Sequence, residues 1–390
     1  MSHKAGHNFF DVKREWSKRK DTLLEHYVVP YLPKIFTVRK PVLLVDGFAG
    51  PGKFADGSDG SPRKLCQFIE RASSYKNARP VELWCVERDA KLASQLRANV
   101  EKYESFCKVI NADFASVIPA IESKIATHSI FLYLDPFTNM GLSWSDMDRV
   151  FGAVSKSNSI EVLLNFNVVA FARVACVALG KRFVDVVDYE EIEDDPLLDN
   201  FDLDSLDEVM GGSIWQSQFK ESPSFPAACN SINSAYMSLL RKRFAEVCAQ
   251  EIKAKDKHKT PKYLLIFGSR SAEGLGVMND AMAKSRVEQA AYEESEDAAR
   301  LGKTLFNNQP ESLVPDTQER LPSLILDALG AKKLPRYELV IATIRRAKIG
   351  EYSRSDITRR ISDMVRSKQL ATAANQTRLN DDSVIYAPAG

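Results

Sequence analysis

The chain has 390 residues, more than one typical domain, and its 44% hydrophobic and 27% charged residues are the composition of a folded globular protein. A formal net charge of +1 gives no whole-chain attraction to nucleic acid or to a membrane, so any basic surface must be local. The sequence contains no 18-residue apolar run and its polar N-terminus lacks the apolar core of a signal peptide, so we expect a cytoplasmic protein with no membrane partner.

The first predicted elements are a helix, a strand and a glycine-rich loop. Apolar residues recur at helical spacing over 8–36, and Pro30 is expected to break or bend this helix. Residues 41–46 are predicted to form a buried parallel strand that ends in an acid, and the loop after it contains three glycines. The next helix is expected to start at Ser61 as N-cap, with Pro62 in its first turn.

Strands and helices then alternate up to residue 166, which predicts a doubly wound parallel α/β sheet. The further strands are predicted at 81–87, 107–111, 129–134 and 160–166.

The pattern changes after the fifth strand. The acidic stretch at 185–223 is predicted to be a solvated insertion with a short helical lid, and a regulatory or partner-binding arm is the alternative. A helix is expected over 232–250, followed by a strand at 263–267 and a helix at 277–292. These elements add a sixth strand, and leave room for a seventh, in a first domain of residues 1–292.

The C-terminal residues form a second predicted domain. A polar linker at 293–319 precedes three amphipathic segments and a short strand in 320–390, which is the order of a winged helix. The second domain concentrates positive charge that the net value hides. Its basic residues include Arg336, Arg345, Arg346, Lys348, Arg354, Arg359, Arg360, Arg366 and Lys368.

Cysteine and histidine placement argues against metal and disulfide chemistry. The six cysteines form no CxxC pair, and the five histidines have no partner at ligand spacing. We expect reduced thiols and no metal site.

Acids and glycines at successive strand ends suggest S-adenosylmethionine (SAM) as cofactor. A carboxylate after the second strand can accept hydrogen bonds from both ribose hydroxyls, and glycines after the first leave room for the methionine part. The loop has neither a Gly-Lys-Ser/Thr sequence nor GxGxxG, so a P-loop and a pyrophosphate site are not predicted. The predicted cofactor-binding residues are Asp46, Gly47, Phe48, Gly50, Gly52, Glu87, Arg88, Asp113 and Phe114.

The fourth strand ends in Asp135-Pro136-Phe137, which are the predicted catalytic residues. Methyltransferases acting on exocyclic amino groups place an Asp/Asn-Pro-Pro-aromatic motif there, and this chain lacks one of the two prolines. Asp135 is expected to accept hydrogen bonds from the target amine, and Phe137 to stack on a base. A plain turn after a strand remains the alternative, since Asp and Pro are common in turns.

Several stretches within residues 8–290 share a specific pattern. They are the Trp16, Lys20 and Tyr27 helix, the DGFAGPGKF loop at 46–54, the Gly60-Ser61-Pro62 helix start, Glu87-Arg88-Asp89, LDPFTNMGLSW at 134–144 and the late YLLIFGS strand. In these the chain resembles the three-Cys-motif partner proteins (TcmP). One departure is Thr138-Asn139, where we expect glycine after the aromatic residue.

The resemblance implies a Rossmann-like, class I methyltransferase-type domain followed by a winged helix, and association with a radical-SAM-like protein carrying a three-cysteine motif. We predict a SAM-dependent methyltransferase acting on an amino group of a nucleic-acid base, with DNA or RNA bound by the basic C-terminal domain. A non-enzymatic adaptor and a small-molecule methyltransferase are the alternatives.

Overall fold

The computed structural model describes residues 15–136, 142–155, 158–184, 202–252, 261, 263–300, 320–372 and 378–388. The chain divides into two compact units, with the boundary between Ser271 and Ala272. The sequence-based boundary lies after residue 292, so the structure groups one more helix with the C-terminal residues.

The first unit alternates strands and helices. Its elements are α1 (Glu15–Ile35), β1 (Val42–Asp46), α2 (Ser61–Ala72), β2 (Val81–Val86), α3 (Ala90–Val100), β3 (Cys107–Ile110), α4 (Phe114–Lys124), β4 (Ser129–Leu134), α5 (Trp144–Phe151), β5 (Ile160–Phe166), α6 (Val168–Ala178), α7 (Leu203–Met210), α8 (Trp215–Glu221), α9 (Phe225–Arg241), β6 (Glu246–Ile252) and β7 (Tyr263–Ser269).

These strands form one seven-stranded sheet in the order β3-β2-β1-β4-β5-β7-β6. Neighbours from β3 to β5 pair in parallel, whereas β7 is antiparallel to both β5 and β6. Residues 253–262 connect β6 to β7 and are too few for a crossover, which takes about a dozen residues or more. The mostly parallel sheet with this order confirms the predicted class I methyltransferase-type α/β fold.

Two local predictions fail. The helix expected over 232–250 ends at Arg241, and 246–252 instead form edge strand β6. The N-cap of α2 is Gly60 rather than Ser61. Of the two outcomes expected at Pro30, a break does not occur, because α1 continues through Pro30 and Pro33.

The acidic stretch is also more deeply packed than predicted. Residues 185–201 lie outside the described residues, but 202–221 contain α7 and α8 rather than a solvated segment. Leu206, Trp215 and Phe219 are at most 2% exposed and belong to the main core. The apolar positions of these two helices therefore outweigh their acidic neighbours.

Helix α1 covers one face of the sheet and is tied to it by a buried polar cluster. The Tyr27 ring packs 5.4 Å from Phe131 and 5.0 Å from Phe267 between centroids. Its hydroxyl donates to Glu161 on β5, and Ser269 Oγ donates to the other carboxylate oxygen at 2.7 Å. Burial raises the pKa of Glu161, while the hydrogen bonds from Tyr27 and Ser269 oppose the rise.

The raised pKa of Glu161 predicts that its contribution to stability decreases as pH rises. The folded state holds this proton more tightly than the unfolded chain, so the free energy of unfolding should fall as pH rises from the ordinary pKa of 4.5 through the raised value. In Glu161→Gln this contribution is removed, and urea unfolding at acidic and neutral pH should show a smaller difference. Exposed Glu104→Gln is the control; equal pH dependence in both variants would contradict the assignment.

The described residues of the second unit form four helices and a small sheet. Its elements are α10 (Ala272–Arg300), α11 (Arg320–Leu329), β8 (Leu334–Pro335), α12 (Arg336–Ile344), α13 (Arg354–Arg366), β9 (Ala371–Thr372) and β10 (Val384–Tyr386). The strands pair antiparallel in the order β8-β10-β9. Helix α13 starts in a capping box in which Ser353 and Asp356 bond reciprocally.

Helix α10 belongs to this unit because polar contacts tie it to the start of α13. The Arg354 guanidinium donates to Glu273 at 2.8 Å and to Asp280 at 2.7 Å. Asn279 accepts from Gly350 N at 2.9 Å and donates to the Tyr352 carbonyl at 2.8 Å. Arg354, predicted as part of a basic surface, is therefore neutralised within the unit.

Within the described ranges, no helix is long and apolar enough to cross a membrane. None of the six cysteines, all within the described ranges, forms a disulfide, and five are buried. The described part of the chain holds no group of three side chains placed to bind a metal.

Candidate active site

The loop after β1 turns at two glycines with positive φ, 62° at Gly50 and 74° at Gly52. Residues that have a Cβ atom seldom adopt this left-handed backbone conformation. A Cβ atom at Gly52 would also lie 2.6 Å from Leu96 Cδ1, and one at Gly47 would lie 2.7 Å from Leu134 Cδ2. Gly47 and Gly52 thus allow protein side chains to pack against the loop, a role that the sequence analysis did not anticipate.

Asp46 ends β1 with a carboxyl group that is fully buried. Ser61 Oγ donates to its Oδ2 at 2.7 Å, and Phe48 N lies 3.4 Å from its Oδ1. Burial raises the pKa of Asp46 to about 7; the two hydrogen bonds lower it, and the nearby carboxylates of Asp135 and Asp21 raise it. This carboxyl group therefore changes charge near neutral pH.

Glu87 follows β2 and is held beside the glycine turn. Its Oε2 accepts from Gly50 N at 2.9 Å and its Oε1 from Asp89 N at 2.7 Å. Burial raises the pKa of Glu87, which is 8% exposed, and the two backbone hydrogen bonds oppose the rise. Since each carboxylate oxygen has two lone pairs, each can accept one more hydrogen bond.

The side chains of the remaining predicted cofactor-binding residues, apart from that of the exposed Arg88, make contacts with other residues of the fold. Asp113 is exposed and caps α4, accepting from Ser116 N at 2.8 Å and Ser116 Oγ at 2.7 Å, and these bonds lower its pKa. Phe114 is buried, and its ring lies 5.8 Å from that of Phe48. Arg88 is exposed. Phe48 and Phe114 form an aromatic wall beside Gly47.

Asp135 lies just after β4 and makes four polar contacts. Lys20 Nζ donates to Oδ1 at 2.8 Å and to Oδ2 at 2.7 Å. Asn165 Nδ2 donates to Oδ1 at 2.6 Å, and the Tyr133 hydroxyl to Oδ2 at 3.3 Å. Pro136 is buried, and Phe137 lies outside the described residues. The lone pairs of Asp135, expected to accept a target amine, are already occupied.

Lys20 has a chemical environment that was not predicted from the sequence. Lys20, Leu24, Tyr27 and Tyr31 share one face of α1, three of them apolar or aromatic and buried. A lysine in line with an apolar stripe is the signal that could have identified it, because a buried ammonium needs an anionic partner. The ammonium also lies 5.1 Å from the centre of the Tyr263 ring.

Together these groups fit a cationic nucleoside such as SAM. Asp46, Glu87 and Asp135 come from β1, β2 and β4, whose carboxyl ends share one edge of the sheet. The strand order reverses between β1 and β4, and ligands of open α/β sheets bind at this point. Glu87 has acceptor capacity for two hydroxyl groups, and neighbouring carboxylates favour a positive sulfonium.

Comparisons with known proteins find structural matches but no family. No family model matches the sequence, and no curated protein matches it, so the resemblance to TcmP stays a prediction. A precorrin-6y C5,15-methyltransferase from Geobacter metallireducens is 13% identical, with 67% of this chain and 90% of that chain covered and a TM-score of 0.29. An O-methyltransferase from Bacillus cereus in complex with SAH is 12% identical, with 67% and 83% covered and a TM-score of 0.31. Scores this low carry no argument, and the fold assignment rests on the strand order.

Proposed function

We propose that this chain is a SAM-dependent methyltransferase that modifies an exocyclic amino group of a nucleic-acid base. The observation that carries the proposal is the Glu87 carboxylate, fixed by Gly50 N and Asp89 N at the switch point of the sheet with acceptor capacity to spare. Glu87 would hold the ribose hydroxyls, and the 47–52 loop would hold the methionine part.

When bound, SAM would supply an electrophilic methyl group to the amine nitrogen, with the carbon–sulfur bonding pair left on SAH and one amine proton released to water. The protein has to bind both reactants, orient the amine and hold negative charge near the sulfonium. Asp46 provides that charge in its ionised form, whereas the charge of Asp135 is balanced by Lys20. Isothermal titration of the full chain with SAM and with SAH tests the assignment. Absence of binding would leave the alternative of an adaptor for a three-Cys-motif protein.

The C-terminal residues suit a nucleic-acid partner. Residues 320–390 contain 13 Lys and Arg against seven Asp and Glu. The order of three helices and a three-stranded sheet supports a winged helix, in which α13 would be the helix that meets the nucleic acid. Arg359 and Arg366 lie on one face of α13 and are 72% and 78% exposed. Their ion pairs with Asp356 and Asp363 are surface pairs of little energy, so phosphates can replace these partners.

Binding of a short duplex DNA or single-stranded RNA should weaken steeply with salt. Replacing Arg359 and Arg366 together by alanine should reduce the slope of log K against log salt by about 1.8 on duplex, about 0.9 for each lost phosphate contact. Lys102→Ala, which removes a 64% exposed lysine of the first unit, is the matched control. A flat salt response, or an equal slope in the double variant, would show that the C-terminal unit does not dock nucleic acid through this face.

A further inference from the structure

The amide oxygen of Asn165 is a buried acceptor near the carboxyl end of β5. Asn165 is the penultimate residue of β5 and is 1% exposed. Its Oδ1 has no hydrogen-bond partner among the described residues. A buried acceptor without a partner costs stability, and such groups occur where a ligand supplies the missing donor.

The orientation of this amide is fixed by charge. Asn165 Nδ2 lies 2.6 Å from Asp135 Oδ1. With the amide reversed, two acceptor oxygens would face each other at this distance, so the nitrogen must face the carboxylate. Lys20 contacts both oxygens of Asp135 and is itself buried, which fixes the carboxylate. Lys20 and Asp135 therefore act as positioning residues for Asn165 Oδ1.

The acceptor lies next to the predicted catalytic residues. Asn165 lies one residue before the end of β5, beside Asp135, which follows β4, and these strands are neighbours in the sheet. The four contacts already made by Asp135 leave it no lone pair for a substrate. Asn165 Oδ1 is the adjoining oxygen that lacks a partner among the described residues, and a neutral amide oxygen accepts a hydrogen bond but takes no proton.

Resting on the proposed function, we infer that Asn165 Oδ1 accepts a hydrogen bond from the N–H of the methyl acceptor, which is a planar amino group. A hydroxyl acceptor has to lose its proton to a base before it attacks, and neither the amide nor the lysine-bound carboxylate offers one. An aromatic amine attacks first and releases its proton afterwards. It needs only an oxygen that orients one N–H and turns the nitrogen lone pair to the methyl group.

Two pairs of probes, each differing by the amino group alone, test this inference. All are single-stranded oligonucleotides with one varied position. The first pair carries adenosine or purine riboside there, and the second carries cytidine or pyrimidin-2-one riboside. The affinity of the SAH-saturated full chain is measured by fluorescence anisotropy. The wild type should prefer one amino-bearing probe by about 10-fold, the scale of one net hydrogen bond. In Asn165→Leu the preference should fall to about one, because each change removes the same bond.

Controls separate recognition from folding. Asn158 lies just before the opposite end of β5 and donates to the Ala153 carbonyl at 3.2 Å. Asn158→Leu removes this hydrogen bond and should keep the preference for the amino-bearing probe. Asn165→Ser replaces Asn165→Leu if the latter fails to fold. Methyl transfer from labelled SAM should place the label on the exocyclic nitrogen, and Asn165→Leu should lower the rate by about 100-fold, the scale of a misplaced reactant.

The outcomes distinguish the two claims. A wild type that binds neither SAM nor SAH refutes the proposed function. If the chain binds the cofactor but neither probe, or if the label appears on carbon, ribose or phosphate, the proposed base amine as methyl acceptor is refuted together with the inference. If the label appears on an exocyclic nitrogen but the wild type shows no preference for an amino-bearing probe, or Asn165→Leu keeps that preference, the inference alone is refuted.

Discussion

Replacing Glu87 by alanine is expected to weaken SAM binding by about 100-fold or more, because two charge-assisted hydrogen bonds to the ribose are lost at about 1.5 kcal/mol or more each. The substitution also removes the acceptor of Gly50 N and Asp89 N. The glycine turn then loses the contact that fixes it to the end of β2. Isothermal titration gives the change in affinity, and circular dichroism checks that the fold remains.

Two further variants make the Glu87 result specific. Glu87→Gln keeps one carbonyl acceptor but no charge, and should bind SAM about 10-fold more weakly than the wild type. Glu82→Ala, on the same strand at the opposite end, removes a carboxylate that pairs with Lys124 at 2.8 Å and should leave affinity unchanged. Unchanged SAM affinity in folded Glu87→Ala would remove the main support for the cofactor assignment.

The strands that position Glu87 could be predicted because their signals are local. Strands β1, β4 and β5 are short and mostly apolar, and every residue in them is buried; both faces of such strands are covered by helices. Strand β6 is less apolar: Glu246, Gln250 and Glu251 interrupt it at the edge of the sheet. Its apolar residues also fit the helical spacing of the preceding segment, so the sequence alone favoured a longer helix.

The site was predictable to the same extent. Asp46 is the last residue of β1 and Glu87 comes directly after β2, so the strand assignment locates both at one edge of the sheet. The contacts of Asp135 with Lys20 and Asn165 join residues 115 and 30 positions apart. They depend on how α1 lies across the sheet and on the order of β4 and β5, which no local pattern determines.

The contact between Lys20 and Asp135 yields the largest expected effect on stability. The two side chains are 7% and 22% exposed, so the pair is shielded from water. Lys20→Met removes the ammonium and leaves the carboxylate of Asp135 with neutral donors only. Loss of one partner of a buried ion pair costs about 3–5 kcal/mol, and the partial exposure of Asp135 places the expected loss near 3 kcal/mol.

A double-mutant cycle distinguishes this uncompensated charge from lost packing. Asp135→Asn in the Lys20→Met background removes the charge, and should recover about 2 kcal/mol of the free energy of unfolding measured in urea. Lys20→Arg keeps a cation and should cost less than Lys20→Met. If the double variant is less stable than Lys20→Met by the full cost of Asp135→Asn alone, the two groups do not interact. In that case neither fixes the other, and the orientation of Asn165 Oδ1 loses its physical basis.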